Sequence, residues 1–203
     1  MILKKLLILT FAITGLLSSG LNAATITPAD MTGLRSFDAG VNVLLLTFDA
    51  VKTGTEDRTI AHFDISTLSG ATLSAVLEIP INNIDPGLPA GTFDVYSFTG
   101  DGIVSIDEWN AGVLEQAFTG IEGGNQTLSL DITTLLLNSI SNNDTYLSFN
   151  FRGGVGTDRY WLSDINGLPD PVINTIVPVP AAVWLFVGGM GMLFGFSVRK
   201  NIS

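Results

Sequence analysis

The chain has 203 residues, a net charge of −10 at pH 7 and no cysteine. Without cysteine it has no disulfides, no thiolate metal site, no thiol nucleophile and no lipid-modified N-terminal cysteine. Its acidic balance disfavours binding to nucleic acid and to anionic membrane surfaces.

The N-terminus has the three-part pattern of a secretory signal peptide. Lys4 and Lys5 form a basic segment, residues 6–17 are almost entirely apolar, and small or polar residues follow up to Ala23. The alternative, an N-terminal anchor that is never removed, is disfavoured because a membrane span needs about 20 residues. We therefore predict a signal peptide over 1–23, cleavage after Ala23 and export through the Sec translocon.

Residues 24–176 are predicted to form one all-β domain. Apolar and polar residues alternate with a period of two in several short segments, which is typical of half-buried strands. Turn-forming Gly and Pro residues separate these segments, and the pattern favours an antiparallel β-sandwich. The predicted core contains six large apolar residues: Leu73, Leu77, Phe93, Leu147, Phe149 and Phe151. Further predicted strands are 41–48, 58–65, 127–131 and 172–176.

A short helix interrupts the strands at 131–140, where Asp131 is expected to cap the N-terminus of the helix.

The whole domain is strongly acidic, because five basic and 19 acidic residues lie within 24–176 and leave a net charge of −14. Such a surface aids solubility, and its carboxylates can also bind Ca²⁺, a cation that is coordinated by several oxygen ligands. The candidate Ca²⁺ ligands are Asp101, Asp107 and Asn110, whose spacing is not that of an EF-hand.

Sequence motifs for catalysis are scarce. His62 is the single histidine, so a multi-histidine metal site is excluded and any Ser-His-acid set must include it. Nucleophile-elbow, dinucleotide-binding and P-loop motifs do not occur. Adjacent acidic pairs such as Asp107 and Glu108 rarely converge across a sugar at the carboxyl separation of about 5–9.5 Å that glycosidases use. The sequence therefore predicts a non-enzymatic protein without catalytic residues and with no cofactor other than Ca²⁺.

Two tryptophans are the candidate ligand-binding residues. Trp109 lies in a polar segment at 105–112 that is predicted to be a loop, and Trp161 follows a glycine-rich stretch. An exposed indole can stack on a sugar ring, although core or rim packing is the alternative for both residues. The net charge favours neutral glycans over anionic ones unless Ca²⁺ bridges the carboxylates. The hypothesis is a polysaccharide-binding protein, and the alternative is an extracellular polysaccharide-acting enzyme, a lyase or glycosidase, on the same scaffold.

The C-terminus combines a Pro-x-Pro motif, an apolar stretch and a basic end. Residues 181–198 contain Ser197 as their one polar side chain, and as a helix they extend about 27 Å, close to the thickness of a bilayer core. Arg199 and Lys200 then indicate the cytoplasmic side. We predict a transmembrane helix over 181–198, with the preceding domain on the other side of the membrane.

Residues 177–203 resemble the PEP-CTERM sorting signal in all three parts. The string Val-Pro-Val-Pro-Ala-Ala-Val-Trp-Leu-Phe at 177–186 is similar to a common variant, with Val179 where the namesake glutamate would stand. The resemblance implies recognition by an exosortase, a membrane transpeptidase, in a Gram-negative bacterium that makes exopolysaccharide. It also implies delivery to the cell surface, extracellular matrix or biofilm. The implied sorting motif consists of Pro178, Val179, Pro180, Trp184, Arg199 and Lys200.

Parts of the domain are similar to DNRLRE-type extracellular domains. Residues 61–77 contain a Phe-Asp-Ile-Ser strand end, a Leu-Ser-Gly-Ala turn and a strand with alternating Leu. Residues 95–101 and 106–110 are similar to the strand and the Trp-Asn segment that follow in that family. The resemblance implies a jelly-roll sandwich, and some members of the family bind polysaccharide.

Overall fold

The computed structural model describes residues 21–36, 42–45, 50–52, 57–68, 70–84, 86, 91–154, 156, 158–162 and 167–178. The chain divides into one compact unit, Ala24–Thr175, and a second unit composed of Met1–Ala23 and Ile176–Ser203. None of the helices in the described ranges is both long enough and apolar enough to cross a membrane. Most of the predicted signal peptide and the predicted helix at 181–198 lie outside the described residues.

Strands account for most of the described residues. A 3₁₀ helix, Ile106–Asn110, follows the seventh strand, and an α-helix, α1 (Thr133–Asn142), follows the ninth. The strands are β1 (Leu21–Ile26), β2 (Asp30–Ser36), β3 (Asn42–Leu45), β4 (Ala50–Lys52), β5 (Asp57–Asp64), β6 (Ser74–Asn83), β7 (Phe93–Phe98), β8 (Val113–Phe118), β9 (Gly124–Asp131), β10 (Tyr146–Gly153), β11 (Arg159–Leu162) and β12 (Val172–Pro178).

The strands form two antiparallel sheets, which confirms the all-β prediction. The first sheet contains β1, β12, β6, β9 and β11, and the second contains β3, β2, β5, β10, β7 and β8. Strand β4 joins them, because it pairs with β11 along its length and with β5 where Lys52 lies opposite Asp57. Hydrogen bonding is therefore continuous from one sheet to the other.

The main core is built from the inward-facing residues of both sheets. Five of the six predicted core residues are at most 2% exposed: Leu77, Phe93, Leu147, Phe149 and Phe151. The ring of Phe151 lies between those of Phe93 and Phe149, at centroid distances of 5.9 and 6.4 Å. The prediction is wrong for Leu73, which is 57% exposed because it precedes the first residue of β6.

Helix α1 is confirmed, with both ends two residues later than predicted. The side chain of Asp131 accepts a hydrogen bond from the backbone N–H of Thr133 at 2.9 Å, but the N-cap residue is Ile132. Hydrogen bonding from Thr133, through its side chain and then its backbone, lowers the pKa of Asp131. Leu136 is fully buried and anchors the helix to the core.

Tertiary pairing between β6 and β9 outweighs local signals, and β9 begins at Gly124, three residues before its predicted start at 127. Strand β6 continues through Pro80 to Asn83, although proline lacks the N–H that an interior strand normally donates. Over this extension β6 pairs with β9, where Pro80 lies opposite Thr127 and Asn82 opposite Asn125. The extension matters because it places Asn82 on the sheet surface.

Candidate functional site

Two outward-facing surfaces carry the candidate residues, one on each sheet. On the second sheet, residues 99–112 form a segment, here called the covering segment, that packs on the outward face of β5, β7 and β10. His62 and Asn150 point away from the main core, yet both are fully buried. A second apolar cluster holds the covering segment in place and consists of Leu34, Ile60, Val104 and Trp109, with Phe98 packed against it.

Trp109 is part of this second cluster and is 8% exposed. The guanidinium carbon of Arg58 lies 4.2 Å from the centroid of the indole, which is the geometry of a cation–π contact. An Nη1–H of Arg58 also donates to the carbonyl oxygen of Trp109 and, at 3.1 Å, to Oδ1 of Asn110. The expectation that Trp109 presents an exposed stacking face is therefore wrong, since the covering segment turns the indole toward the sheet.

Buried amide and guanidinium groups hold the backbone of the 3₁₀ helix. The amide of Asn150 donates to the carbonyl oxygens of Glu108 at 3.0 Å and Trp109 at 3.1 Å. Burial, and then the positive charge of Arg152, lower the pKa of Arg58 to about 10. Arg58 therefore stays protonated at neutral pH, and its charged guanidinium donates the hydrogen bonds described above.

The three predicted Ca²⁺ ligands have different surroundings. Asp107 is exposed in the first turn of the 3₁₀ helix, and the side-chain oxygen of Asn110 accepts a hydrogen bond from Arg58. Asp101 is exposed as well. One of its carboxylate oxygens, one ring nitrogen of His62 and one carboxylate oxygen of Glu108 lie within 4.8 Å of one another, so all three could bind the same metal ion. Sequence reasoning did not find this set, because its members are distant along the chain. Calcium binding by Asp101, Asp107 and Asn110 stays a prediction.

His62 connects the covering segment to the sheet. Its Nδ1 lies 2.6 Å from Oγ of Ser148, and its Nε2 lies 3.2 Å from Oε2 of Glu108. A serine, a histidine and a carboxylate are in contact as in a Ser-His-acid set, but the two ring nitrogens are exchanged relative to the serine-protease arrangement. However, Ser148 is fully buried, and a Cβ at Gly100 would lie 2.4 Å from its hydroxyl oxygen. The covering segment passes too close for a substrate to reach Ser148 in this arrangement.

The second surface is the outward face of the first sheet, where Trp161 lies. Its neighbours Tyr160 and Leu162 are fully buried, so alternation along β11 turns the half-buried indole of Trp161 outward. Trp161 lies opposite Asn82 of β6, and Asn82 lies opposite Asn125 of β9. We call this row of three residues the Trp161 row. Because side chains directly opposite each other are about 4.5–5.5 Å apart, the row is about 10 Å long.

Further hydrogen-bonding groups continue from the Trp161 row along β9. Thr127 and Ser129 are exposed on the same face as Asn125, and Ser129 lies opposite Glu78 of β6. Alternate residues of a strand are about 6.6–6.8 Å apart, which sets the spacing between these groups. The result is an aromatic ring at one edge of a surface that presents amides, hydroxyls and a carboxylate.

The implied sorting residues lie almost entirely outside the described part of the chain. Pro178 is the last residue of β12. The other five, Val179, Pro180, Trp184, Arg199 and Lys200, are outside it, so the sorting motif stays a prediction from sequence.

Comparisons with known proteins identify no family for this chain. Neither a family model nor a curated protein matches it. Among solved structures, it is similar to Xylanase10C from Cellvibrio japonicus in complex with xylopentaose, with 11% identity, a TM-score of 0.44, and coverage of 77% of this chain and 28% of the xylanase. A xylan-binding module, CBM15, shows 13% identity and a TM-score of 0.38 over 77% of this chain and 97% of the module. A structure of infectious bursal disease virus, Gx strain, shows 11% identity and a TM-score of 0.28 over 90% of this chain and 50% of the viral chain. These likenesses are too low to bear on function.

Proposed function

We propose that this chain is an exported, non-enzymatic protein whose jelly-roll-like domain binds a neutral polysaccharide through the Trp161 row. The observation that carries the proposal is the cross-strand alignment of Trp161, Asn82 and Asn125 on one outward face. A sugar ring needs an apolar surface for its C–H face and hydrogen-bonding groups for its hydroxyls. An indole beside two amides supplies both in one row.

Charge supports a neutral ligand over an anionic one. The domain has a net charge of −14, so an acidic polysaccharide would be repelled before contact. Asparagine can both donate and accept hydrogen bonds, which suits hydroxyl groups of either orientation. Because the row lies on strands rather than on a loop, the three side chains are held at fixed spacing before a ligand arrives, which lowers the entropic cost of binding.

Delivery to the envelope or matrix is proposed from the terminal segments. A signal peptide at 1–23 would direct the chain to the Sec translocon, and a helix at 181–198 would hold it in the inner membrane until an exosortase acts. Its destination would then be the outer surface or the extracellular matrix of a Gram-negative bacterium, where exopolysaccharide would be available as a ligand.

Replacing Trp161 by Ala should weaken binding to a neutral glycan at least 10-fold, or about 1.4 kcal/mol, because the stacking face is lost. The measurement is a glycan array with the tag-free full-length protein, followed by titration of the best neutral ligand. Trp161→Tyr, which keeps an aromatic face, should retain most of the affinity. Asn125→Ala should weaken binding as well, whereas its matched control Asn138→Ala, an exposed amide on α1, should not.

The same glycan panel distinguishes the alternative function. Release of reducing sugars from any member would favour a polysaccharide-acting enzyme over a binding protein. Equal binding by wild type and Trp161→Ala would exclude the Trp161 row as the site.

Processing provides an independent prediction. The mature protein should begin near Ala24 and end near Pro178, Val179 or Pro180, as measured by intact mass of protein recovered from the cell surface or medium. Deletion of the exosortase should leave the full-length chain in the inner membrane. Surface material that still contains Trp184 and Lys200 would instead indicate permanent anchoring.

A further inference from the structure

We propose that His62, Asp101 and Glu108 bind a divalent transition-metal ion, with Zn²⁺ as the best match. One ligand atom from each residue lies within 4.8 Å of the other two. Zn²⁺ bonds of about 2.0–2.2 Å place ligand atoms roughly 3.3 Å apart, so the set must contract by about 1.5 Å at most. Asp101 is exposed, and its Oδ1 accepts a hydrogen bond from the backbone N–H of Ile103 at 3.0 Å, so the adjustment falls to its other carboxylate oxygen or requires this hydrogen bond to open.

The kind of metal follows from the donor set. One imidazole nitrogen with two carboxylate oxygens suits Zn²⁺ and neighbouring transition metals, whereas Ca²⁺ prefers oxygen ligands alone. Three protein ligands leave at least one position for water, and the exposed carboxylate of Asp101 provides the approach from solvent. The cation would also offset two acidic groups of a domain whose net charge is −14.

The surroundings of His62 are those of a metal-binding histidine. Its ring is fully buried, and its Nδ1 lies 2.6 Å from Oγ of Ser148. When Nδ1–H donates to this hydroxyl, the lone pair of Nε2 points toward Glu108, which lies 3.2 Å away. Metal-binding histidines are usually oriented in this way by a hydrogen bond from their other ring nitrogen. Glu108 is itself held, since its Oε2 accepts from the backbone N–H of Ser105 at 3.0 Å.

Binding at this site would fasten the covering segment to the second sheet. His62 belongs to β5, whereas Asp101 and Glu108 lie near the two ends of the covering segment. A ligand that binds the folded protein and not the unfolded chain raises the melting temperature. The inferred role is therefore structural, and it is independent of polysaccharide binding at the Trp161 row on the other sheet.

The test is calorimetric titration of tag-free, chelator-treated full-length protein with Zn²⁺ alone, together with thermal unfolding at increasing Zn²⁺. We expect one Zn²⁺ per chain and a rise in melting temperature that is clearly larger than the rise with Ca²⁺ at the same concentrations. Since the chain has no cysteine and a single histidine, a signal that depends on imidazole must come from His62.

Two matched variants decide the assignment. Asp101→Asn should weaken Zn²⁺ binding at least 10-fold, whereas Asp107→Asn, an equal charge change on an exposed neighbour, should change it less than 2-fold. His62→Gln should abolish Zn²⁺ binding. Because His62 is buried, this variant can fail to fold, and in that case the result for Asp101→Asn decides the assignment. Equal losses for Asp101→Asn and Asp107→Asn, or equal binding of Ca²⁺ and Zn²⁺, would overturn the proposal.

Discussion

Replacing Trp109 by Ala should lower the free energy of unfolding by about 3–5 kcal/mol, the usual cost of truncating a buried aromatic residue. The indole is 8% exposed, it packs in the second apolar cluster, and the guanidinium of Arg58 lies 4.2 Å from its centroid. Its removal would leave a cavity under the covering segment and a buried cation without its aromatic partner. Urea-induced unfolding followed by circular dichroism measures the effect.

Trp161→Ala is the control for this variant, because it removes the same side chain from the other sheet surface. Trp161 is half-buried, so its replacement should cost much less stability while reducing glycan binding. Comparison of the two variants therefore distinguishes a loss of packing at Trp109 from a loss of ligand binding at Trp161. A Trp109→Ala variant as stable as Trp161→Ala would show that the covering segment is not packed against the second sheet in solution.

Replacing Phe149 by Ala should also lower the free energy of unfolding by about 3–5 kcal/mol, a large part of the 5–15 kcal/mol typical of a domain. Phe149 is fully buried at the centre of β10, with its ring 5.8 Å from that of Phe63 and 6.4 Å from that of Phe151. The measurement is the same urea-induced unfolding.

The control for Phe149 is Leu73, a residue of similar apolar character on the surface. Leu73→Ala should change stability by no more than about 0.5 kcal/mol, as is usual for exposed positions. Comparable losses at Leu73 and Phe149 would contradict the strand limits described for β6 and the inward orientation of β10.

The covering segment changes how the outward face of the second sheet must be understood. Alternation correctly places Arg58, His62 and Asn150 opposite the main core, and by itself this would expose them to solvent. The covering segment instead buries all three and provides backbone carbonyls as acceptors for Arg58 and Asn150. The outward face of the second sheet is thereby a second, mixed polar and apolar core.

The sequence by itself determined the strand character of the domain and the orientation of its strongest segments. The alternation of Leu147, Phe149 and Phe151 sufficed, because side chains of a strand point to opposite faces with a period of two and the apolar set must face the core. Composition likewise determined the acidic charge and the absence of thiol chemistry. These properties depend on neighbouring residues or on simple counts.

Only the tertiary structure decided which residues meet. His62 and Glu108 are 46 residues apart in sequence, and His62 and Ser148 are 86 apart, so no local spacing could join them. The row of Trp161, Asn82 and Asn125 depends on the register of three strands, which long-range pairing sets. The burial of Trp109 likewise depends on where a short polar segment packs, because local sequence encodes the direction of a side chain but not the surface that it contacts.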